Sequence, residues 1–534
     1  MGSQFVLADW LVFAIYVLVL ALSGWFFNRK TAQNTNDYFL GGNTMPVWLV
    51  AISVLATSQS AATFLGGPDQ GYRNDLSYLA TNIGAFIAAF IVAALLIPKF
   101  YQNKVATVYE LLENRFGTAA KKQAGLMYLF GRVFASGARL YMAAIAVAMI
   151  IFGNIEANSV IISTLVLVAV GLGNSVVGGI RTVIYNDVIQ CIIYVTAALL
   201  VIYFLLASIP ADFSQILAAL EHPAPGQPSK LTLLNWDLDF SPSGVFSVWS
   251  AITGFVLLNI AAFGLDQDLT QRVLTCKNAK DGSKSILLSI VLVIPVMFIF
   301  IAIGLLLFIF YQRPDLMQTD GMSEINQSFS GEKVTIFMYY VLHEMPAGVK
   351  GFVTIGVIAA ALSTLNSGLN SMASVLVQDI YRPWKLKKTP TVSEKHFVYS
   401  GQVAMSLVAF SLGSMAILCY YWQQYSDTPL LAFALSVMVF SYSGLLGVYF
   451  TVLFTDRGNS VSVLLALISG FVLTLLFQPY MMDTLFPPAW QLDLGFTWQL
   501  CLGTLLSFIV CVSGKKQPIN VRPTVIEPAE GSRI

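Results

Sequence analysis

The chain has 534 residues, of which 57% are hydrophobic and 11% are charged, with a mean hydropathy of +0.73 and a formal net charge of +1. Soluble proteins carry about 25% charged residues because their surfaces must face water, so this composition excludes an ordinary soluble protein and indicates one that lies mostly in lipid. The small net charge also gives no field that would favour nucleic acid or an acidic partner.

The apolar segments predict thirteen membrane-spanning helices, and hence an all-α polytopic membrane protein. A helix needs about 20 mostly apolar residues to cross the bilayer. In chain order the predicted spans are 7–27, 47–66, 77–98, 124–152, 158–178, 187–208, 245–264, 285–311, 349–379, 396–422, 429–451, 460–477 and 494–513. The long polar loop 312–348 follows the eighth span, and we predict a short amphipathic helix in it near Val334–His343. The first span lacks a basic leader and a small-residue cleavage site, so we expect it to be retained.

The placement of lysine and arginine predicts the orientation of the chain. With the N-terminus outside, 22 of the 29 basic residues fall in cytoplasmic segments, five fall outside and two lie within the fourth span. Cytoplasmic loops are enriched in Lys and Arg, so we expect the N-terminus outside and the C-terminus inside.

The second span contains a polar stretch, Ala56–Thr63, followed by Gly66, Gly67 and Pro68. Polar residues at mid-membrane depth are typical of a broken helix, whose unwound carbonyls bind cations where they line a cavity. The stretch therefore predicts a break in this span.

The fourth span carries two arginines, Arg132 and Arg139, seven residues apart and nearly on one helical face. A charged residue within the membrane is costly, so each must face protein or water. For Arg132 a structural ion pair is the favoured interpretation, and for Arg139 packing and contact with a substrate anion are equally open.

Two junctions between spans are rich in polar residues, Gly178–Gln190 and Asp266–Arg272. We interpret each as a polar cytoplasmic turn, with Asp187 and Gln190 at the mouth of the sixth span. Ordinary loop capping is the alternative for both.

The ninth span has a polar stripe at helical spacing, formed by Ser363, Asn366, Ser367, Asn370, Ser371 and Ser374. Small polar residues on a buried stripe often serve only helix packing. Six hydroxyl or amide groups exceed what packing needs, however, and Ser363 and Thr364 offer adjacent oxygens of the kind that hard cations bind.

Nothing in the chain indicates catalysis. There is no Walker loop, zinc-type Cys/His spacing or dinucleotide fingerprint, and the three histidines and five cysteines are scattered. We therefore expect neither an enzyme nor a bound cofactor.

Taken together, these features resemble the sodium:solute symporter family, which contains sugar, proline, iodide and sialic acid transporters and has the LeuT-type fold. The matching segments are Asp37–Gly42, Gly178-Gly179 with Asp187–Gln190, Gln271-Arg272, and Ser363-Thr364 with Leu369–Ser371 and Asp379–Tyr381. The resemblance implies one transmembrane domain over 1–514 and a short cytoplasmic tail, 515–534. It also implies two inverted five-helix repeats, about 47–208 and 245–451, with extra helices at 7–27, 460–477 and 494–513.

The resemblance further implies sodium as the coupling ion. The main site would use the carbonyls of Ala56, Gln59 and Ala360 with the hydroxyls of Ser363 and Thr364, where Thr replaces a family serine and keeps the oxygen. Some members bind a second sodium, for which the corresponding residues here are Asp187, Asn366 and Ser367. Asn366 departs from the family hydroxyl.

For the solute, the sialic acid branch uses hydroxyls on its broken helix, a polar residue on the next span and an arginine beyond it. The corresponding residues here are Ser58, Ser60, Thr63, Tyr78, Asn82 and Arg139. An arginine suits a carboxylate because it pairs in a bidentate fork. Ala262, with Phe263 beside it, stands where the sugar carriers have a gate tyrosine, so a sugar-type gate is not supported.

The function we predict is sodium-coupled symport by alternating access in a multi-pass plasma membrane protein, expected in a bacterial inner membrane. The candidate solute bears a carboxylate: a sialic acid, an amino acid or a monocarboxylate. A sodium-coupled sugar or polyol symporter is the alternative, and a sensor or a channel with the transporter fold is less favoured. A sensor predicts an appended cytoplasmic domain, whereas about twenty residues follow Gly514.

Overall fold

The computed structural model describes residues 5–516 except 28–31, 33, 177, 225, 319–327, 330–331, 334–335 and 424–429. The described chain is helical, apart from the two-residue antiparallel strands Ser328–Phe329 and Glu332–Lys333. Its α-helices are α1 Leu7–Phe27, α2 Thr35–Leu40, α3 Val47–Ser58, α4 Ala61–Arg73, α5 Ser77–Ile91, α6 Ile97–Gln102, α7 Glu110–Phe116, α8 Thr118–Phe152, α9 Ala157–Ser175, α10 Gly179–Ser208, α11 Phe213–Glu221, α12 Val248–Ile252, α13 Gly254–Gly264, α14 Gln267–Leu274, α15 Ala279–Gln312, α16 Pro314–Met317, α17 Ile336–His343, α18 Val349–Val375, α19 Arg382–Lys388, α20 Glu394–Gln423, α21 Leu430–Phe454, α22 Ser460–Leu476, α23 Pro479–Leu485 and α24 Phe496–Ser513.

The spans agree closely with the hydropathy pattern. Ten helices of the described chain are long and apolar enough to cross a membrane, and two bent pairs raise the number to twelve. The remaining predicted span corresponds to α22, a shorter apolar helix of 17 residues. The all-α, multi-pass architecture is thus confirmed, while the orientation of the termini stays a prediction.

The predicted break in the second span is present. Helices α3 and α4 meet at 64°, and Gln59 and Ser60 between them have extended backbone. The Ser60 hydroxyl accepts a hydrogen bond from the Ala62 amide at 3.2 Å, and the Ser58 hydroxyl donates to the Leu55 carbonyl at 2.8 Å. Serine hydroxyls compete in this way with the helical backbone, so the polar stretch ends one helix and caps the next.

The two junctions predicted as polar turns are helical instead, and that prediction was wrong. Helix α10 begins at Gly179, so Asp187 lies well inside the helix. Glycine is required at its start, because φ is +60° there and an added Cβ would lie 2.3 Å from the Tyr38 carbonyl oxygen. Residues 267–274 form α14, which meets the preceding helix at 52° and is buried along its whole length. Charges that suggest an exposed turn are buried because distant helices supply their partners.

Helix α18 lies at the centre of the fold. Its residues from Val353 to Val375 are all buried, and it packs against α3, α8, α9, α10 and α20. The buried carboxylate of Asp9 on α1 accepts the amides of Gly348 and Gly351, each at 2.8 Å, and so anchors the N-terminal end of α18.

The broken helices α3–α4 and α13–α14 correspond to the first spans of the two predicted repeats, 47–208 and 245–451, whose bounds stay a prediction. The helix predicted near Val334–His343 is α17, and Val334 itself lies outside the described residues. Of the predicted tail, 517–534 lies outside them too.

Candidate functional site

A cavity of about 130 Å³ opens beside the break between α3 and α4. Five of the seven predicted solute residues line it: Ser58, Tyr78, Asn82, Arg139 and Phe263. The other two, Ser60 and Thr63, are buried in the first turn of α4 or just before it and are not among the lining residues. The structure therefore brings residues from α3, α5, α8 and α13 to one site.

Arg139 projects into this cavity from α8. Its Nη2 donates to the Met438 sulfur at 3.0 Å. Among the described residues, no carboxylate oxygen lies within 4.0 Å of its guanidinium nitrogens. A guanidinium without a counter-charge in a partly buried cavity favours an anion as its partner.

Arg132 lines the same cavity but is already neutralised. Its Nη1 lies 2.8 Å from Asp266 Oδ2, and its Nη2 pairs with Asp268 Oδ2. Tyr442 also donates to Asp266 Oδ2, at 2.5 Å. The structural ion pair favoured for Arg132 is present, and of the two arginines only Arg139 is left without a carboxylate among the described residues.

Helices α3 and α18, which carry the predicted sodium ligands apart from Gln59, approach each other. Thr57 and Ser367 are in hydrogen-bond contact at 3.2 Å between their hydroxyl oxygens. Because α3 ends at Ser58, the carbonyls of its last turn, including that of Ala56, have no amide partner within the helix.

The predicted serine and threonine ligands fit a cation chemically. The Ser363 hydroxyl donates to Asp187 Oδ1 at 2.7 Å, and the Thr364 hydroxyl donates to the Ala360 carbonyl at 3.2 Å. A hydroxyl that donates its hydrogen still offers its oxygen lone pairs to a cation. The Gln59 side-chain oxygen is buried without a partner among the described residues, which adds an unsatisfied oxygen at the break.

Asp187 connects the two helices of this oxygen cluster. Its Oδ2 accepts from the Ser53 hydroxyl of α3, and its Oδ1 accepts from Ser363 of α18. Arg272 of α14 also pairs with Oδ2, at 3.2 Å. Asp187 thus joins α3, α18 and α14 at one carboxylate, fully buried.

The candidates for a second sodium are placed differently. Ser367 accepts a hydrogen bond from Arg272 Nη2 and donates to the Ser363 carbonyl at 2.6 Å. The Asn366 side-chain oxygen is buried without a partner among the described residues and lies beside Gly171 of α9, where an added Cβ would be 3.1 Å away. The guanidinium of Arg272 pairs with the Asp187 carboxylate in this arrangement.

Sequence reasoning missed the charged residues of α14 as part of the site. Asp266, Asp268 and Arg272 are each at most 1% exposed. The available signal was their density: three charges within seven residues, next to an apolar span, in a chain with few charges.

Comparisons with known proteins identify the family of this chain. A sequence profile of the sodium:solute symporter family matches residues 38–470. The chain is 26% identical to the sodium/sialic acid symporter of Proteus mirabilis over 464 residues, 86% of this chain and 87% of that protein. It is also 26% identical to the sodium/glucose cotransporter of Vibrio parahaemolyticus over 494 residues, 90% and 87% of the two chains.

A solved structure has the same fold. It is a Na⁺-coupled sialic acid symporter in a substrate-bound, outward-open state, with a TM-score of 0.76 and 22% identity. The match covers 95% of this chain and 98% of that one. The LeuT-type fold predicted from the sequence is therefore confirmed.

Proposed function

The chain belongs to the sodium:solute symporter family and is a sodium-coupled membrane symporter, not an enzyme, and on this basis we propose that the solute it carries with sodium bears a carboxylate. The observation that supports this most is the unpaired guanidinium of Arg139 in the cavity. A carboxylate would pair with it through the fork of two N–H donors.

The other groups of the cavity suit the polar remainder of such a solute. Tyr78, Asn82, Ser58 and Asn259 supply hydroxyl and amide groups beside the apolar wall that contains Phe263. A few polar groups on an apolar lining are the usual composition of a small-molecule site. The names of two relatives specify solutes with a carboxylate: the sialic acid symporter of Proteus mirabilis and a mouse sodium-coupled monocarboxylate transporter, each 26% identical to this chain.

We place the main sodium ion between the carbonyls of Ala56, Gln59 and Ala360 and the hydroxyls of Ser363 and Thr364. An ion there contacts both α3 and α18, so it stabilises the conformation in which the break between α3 and α4 packs against α18. The inward sodium gradient then drives uptake by alternating access, since one charge moving through 100 mV releases about 2.3 kcal/mol. A second ion near Asp187, Asn366 and Ser367 stays a hypothesis.

A neutral sugar or polyol is the second candidate. The glucose cotransporter of Vibrio parahaemolyticus is among the relatives, and the hydroxyl and amide groups of the cavity would also bind a sugar. A neutral solute would leave Arg139 without a counter-charge.

The experiment that separates these candidates is a thermal-shift screen of the purified protein in sodium and in potassium. N-acetylneuraminate, proline and pyruvate test the carboxylate proposal, and glucose tests the neutral alternative. Stabilisation by a carboxylate in sodium but not in potassium supports the proposal. Equal stabilisation by the neutral amide of the same solute contradicts it.

A further inference from the structure

A chain of alternating charges runs between the solute cavity and the oxygen cluster. Arg132 pairs with Asp268 Oδ2, Asp268 Oδ1 lies 3.3 Å from Arg272 Nη1, and Arg272 Nη2 lies 3.2 Å from Asp187 Oδ2. All four side chains are at most 4% exposed. Asp268 lies between the two arginines of this chain. One of its carboxylate oxygens pairs with Arg132 and the other pairs with Arg272.

The two ends of the chain belong to different sites. Arg132 lines the solute cavity, where Asp266 holds its other nitrogen at 2.8 Å. Asp187 accepts from Ser363, which is one of the proposed sodium ligands. Gln59, a proposed sodium ligand, also lines the solute cavity, so the chain of charges is a second connection between the two sites besides the break of α3–α4.

Buried ion pairs of this kind respond to each other strongly. Removal or redirection of one charge leaves its partner buried and uncompensated, because no water replaces the lost interaction. A sodium ion beside Ser363 would attract the Asp187 carboxylate and repel the Arg272 guanidinium. The ion pair between Arg272 and Asp268 would then become stronger, and the ion pair between Asp268 and Arg132 would become weaker.

We propose that Asp268 couples sodium binding to solute binding by dividing its carboxylate between Arg272 and Arg132. Without sodium, Arg272 is held by Asp187, and Asp268 keeps Nη2 of Arg132 engaged. With sodium at the Ser363 cluster, Asp268 turns to Arg272, and Nη2 of Arg132 becomes a second donor for the solute beside Arg139. The inference rests on the proposed function for the anionic solute, and Asp268 acts as a positioning residue that touches neither solute nor ion.

The coupling is reciprocal. If bound sodium raises the affinity for the solute by some factor, bound solute must raise the affinity for sodium by the same factor. The measured quantity is the ratio of the solute dissociation constants without and with saturating sodium. Couplings between sites are typically about 5- to 150-fold.

The test measures this ratio by titration calorimetry on the full-length purified protein. The probe is whichever of N-acetylneuraminate, proline, pyruvate and glucose the wild-type protein binds most tightly in sodium. In Asp268→Asn, a neutral amide cannot be shared between two guanidiniums, so we expect the ratio to fall to within about twofold of one while the solute still binds. A wild-type ratio in Asp268→Asn overturns the proposal.

Asp9→Asn is the matched control, because Asp9 is also a buried carboxylate but, among the described residues, accepts hydrogen bonds only from backbone amides, those of Gly348 and Gly351 at the start of α18 and that of Val6. It should lower stability and keep the wild-type ratio, and a ratio near one in this variant too would overturn the specific role of Asp268.

A second variant keeps the proposal testable if Asp268→Asn does not fold. In Arg132→Lys a single ammonium replaces the fork that holds Asp266 and Asp268 together, so sodium affinity without solute should change although Arg132 touches no proposed sodium ligand. Unchanged sodium affinity and an unchanged ratio in this variant overturn the proposal. If the best probe is glucose, the carboxylate proposal fails while the ratio in Asp268→Asn still decides the role of Asp268.

Discussion

Truncation of Arg139 tests the solute proposal most directly. Arg139→Ala removes the one guanidinium in the cavity that no described carboxylate pairs with, and its loss breaks one polar contact within the described part of the chain, the 3.0 Å contact with the Met438 sulfur. Truncating one partner of a buried, hydrogen-bonded charge pair costs about 2–5 kcal/mol, which is a loss of about 30- to 4,000-fold in affinity. We therefore expect this loss for a carboxylate solute.

Arg139→Lys refines the test. Lysine keeps the charge but lacks the planar fork, so we expect it to recover only part of the lost affinity. The matched control is Arg73→Ala at the end of α4, whose side chain is 53% exposed and paired with Asp69. Exposed pairs contribute only about 0–1 kcal/mol, so this variant should bind the solute normally.

The assay is titration of N-acetylneuraminate or the best carboxylate solute into the detergent-purified protein with saturating sodium, alongside its neutral amide. Wild-type protein should prefer the acid, and Arg139→Ala should lose that preference. If Arg139→Ala keeps its affinity, or if the amide competes as well as the acid against wild-type protein, the carboxylate reasoning is refuted.

Three further predictions concern the ion sites and the outer loop. Ser363→Ala combined with Thr364→Ala should abolish sodium-driven uptake and the stabilisation of the protein by sodium. For the wild type this stabilisation is about 2.7 kcal/mol when the sodium concentration is one hundred times its dissociation constant. Wild-type sodium dependence in the double variant would contradict the site. Asp187→Asn removes one of the two carboxylates that pair with the buried Arg272 and leaves it only Asp268, so it should destabilise the protein by about 3–5 kcal/mol and weaken sodium binding more than solute binding. A wild-type Hill slope near one would remove the need for a second ion. Burial lowers the pKa of Lys230, in the loop before α12, from 10.5 to about 8. The folded state therefore releases its proton first, and stability relative to Lys230→Met should rise between pH 8 and about 10.5; a difference in melting temperature that does not change over this range would contradict it.

Local sequence pattern was sufficient for most of the architecture. Hydropathy depends on the composition of about 20 consecutive residues, so the spans can be located without knowledge of their neighbours. The break at Gln59 and Ser60 was predictable for the same reason, because the competing serine hydroxyls are adjacent in the chain.

The solute residues could be proposed from a family resemblance, but their convergence depended on packing. Ser58, Tyr78, Asn82, Arg139 and Phe263 come from four helices that meet only in the folded chain. Ser60 and Thr63 are close in sequence to Ser58, yet they lie beyond the point where the chain bends by 64° and are not among the residues that line the cavity.

The charged network depended on the tertiary structure alone. Asp268 and Arg272 sit in a segment whose composition favours an exposed turn, because a charge is stable either in water or beside an opposite charge. Which of these applies is decided by side chains more than 80 positions away, namely Arg132 for Asp268 and Asp187 for Arg272. Hydropathy is a local sum and contains no information on such pairing, so the burial of α14 and its contact with Asp187 followed only from the way the helices pack.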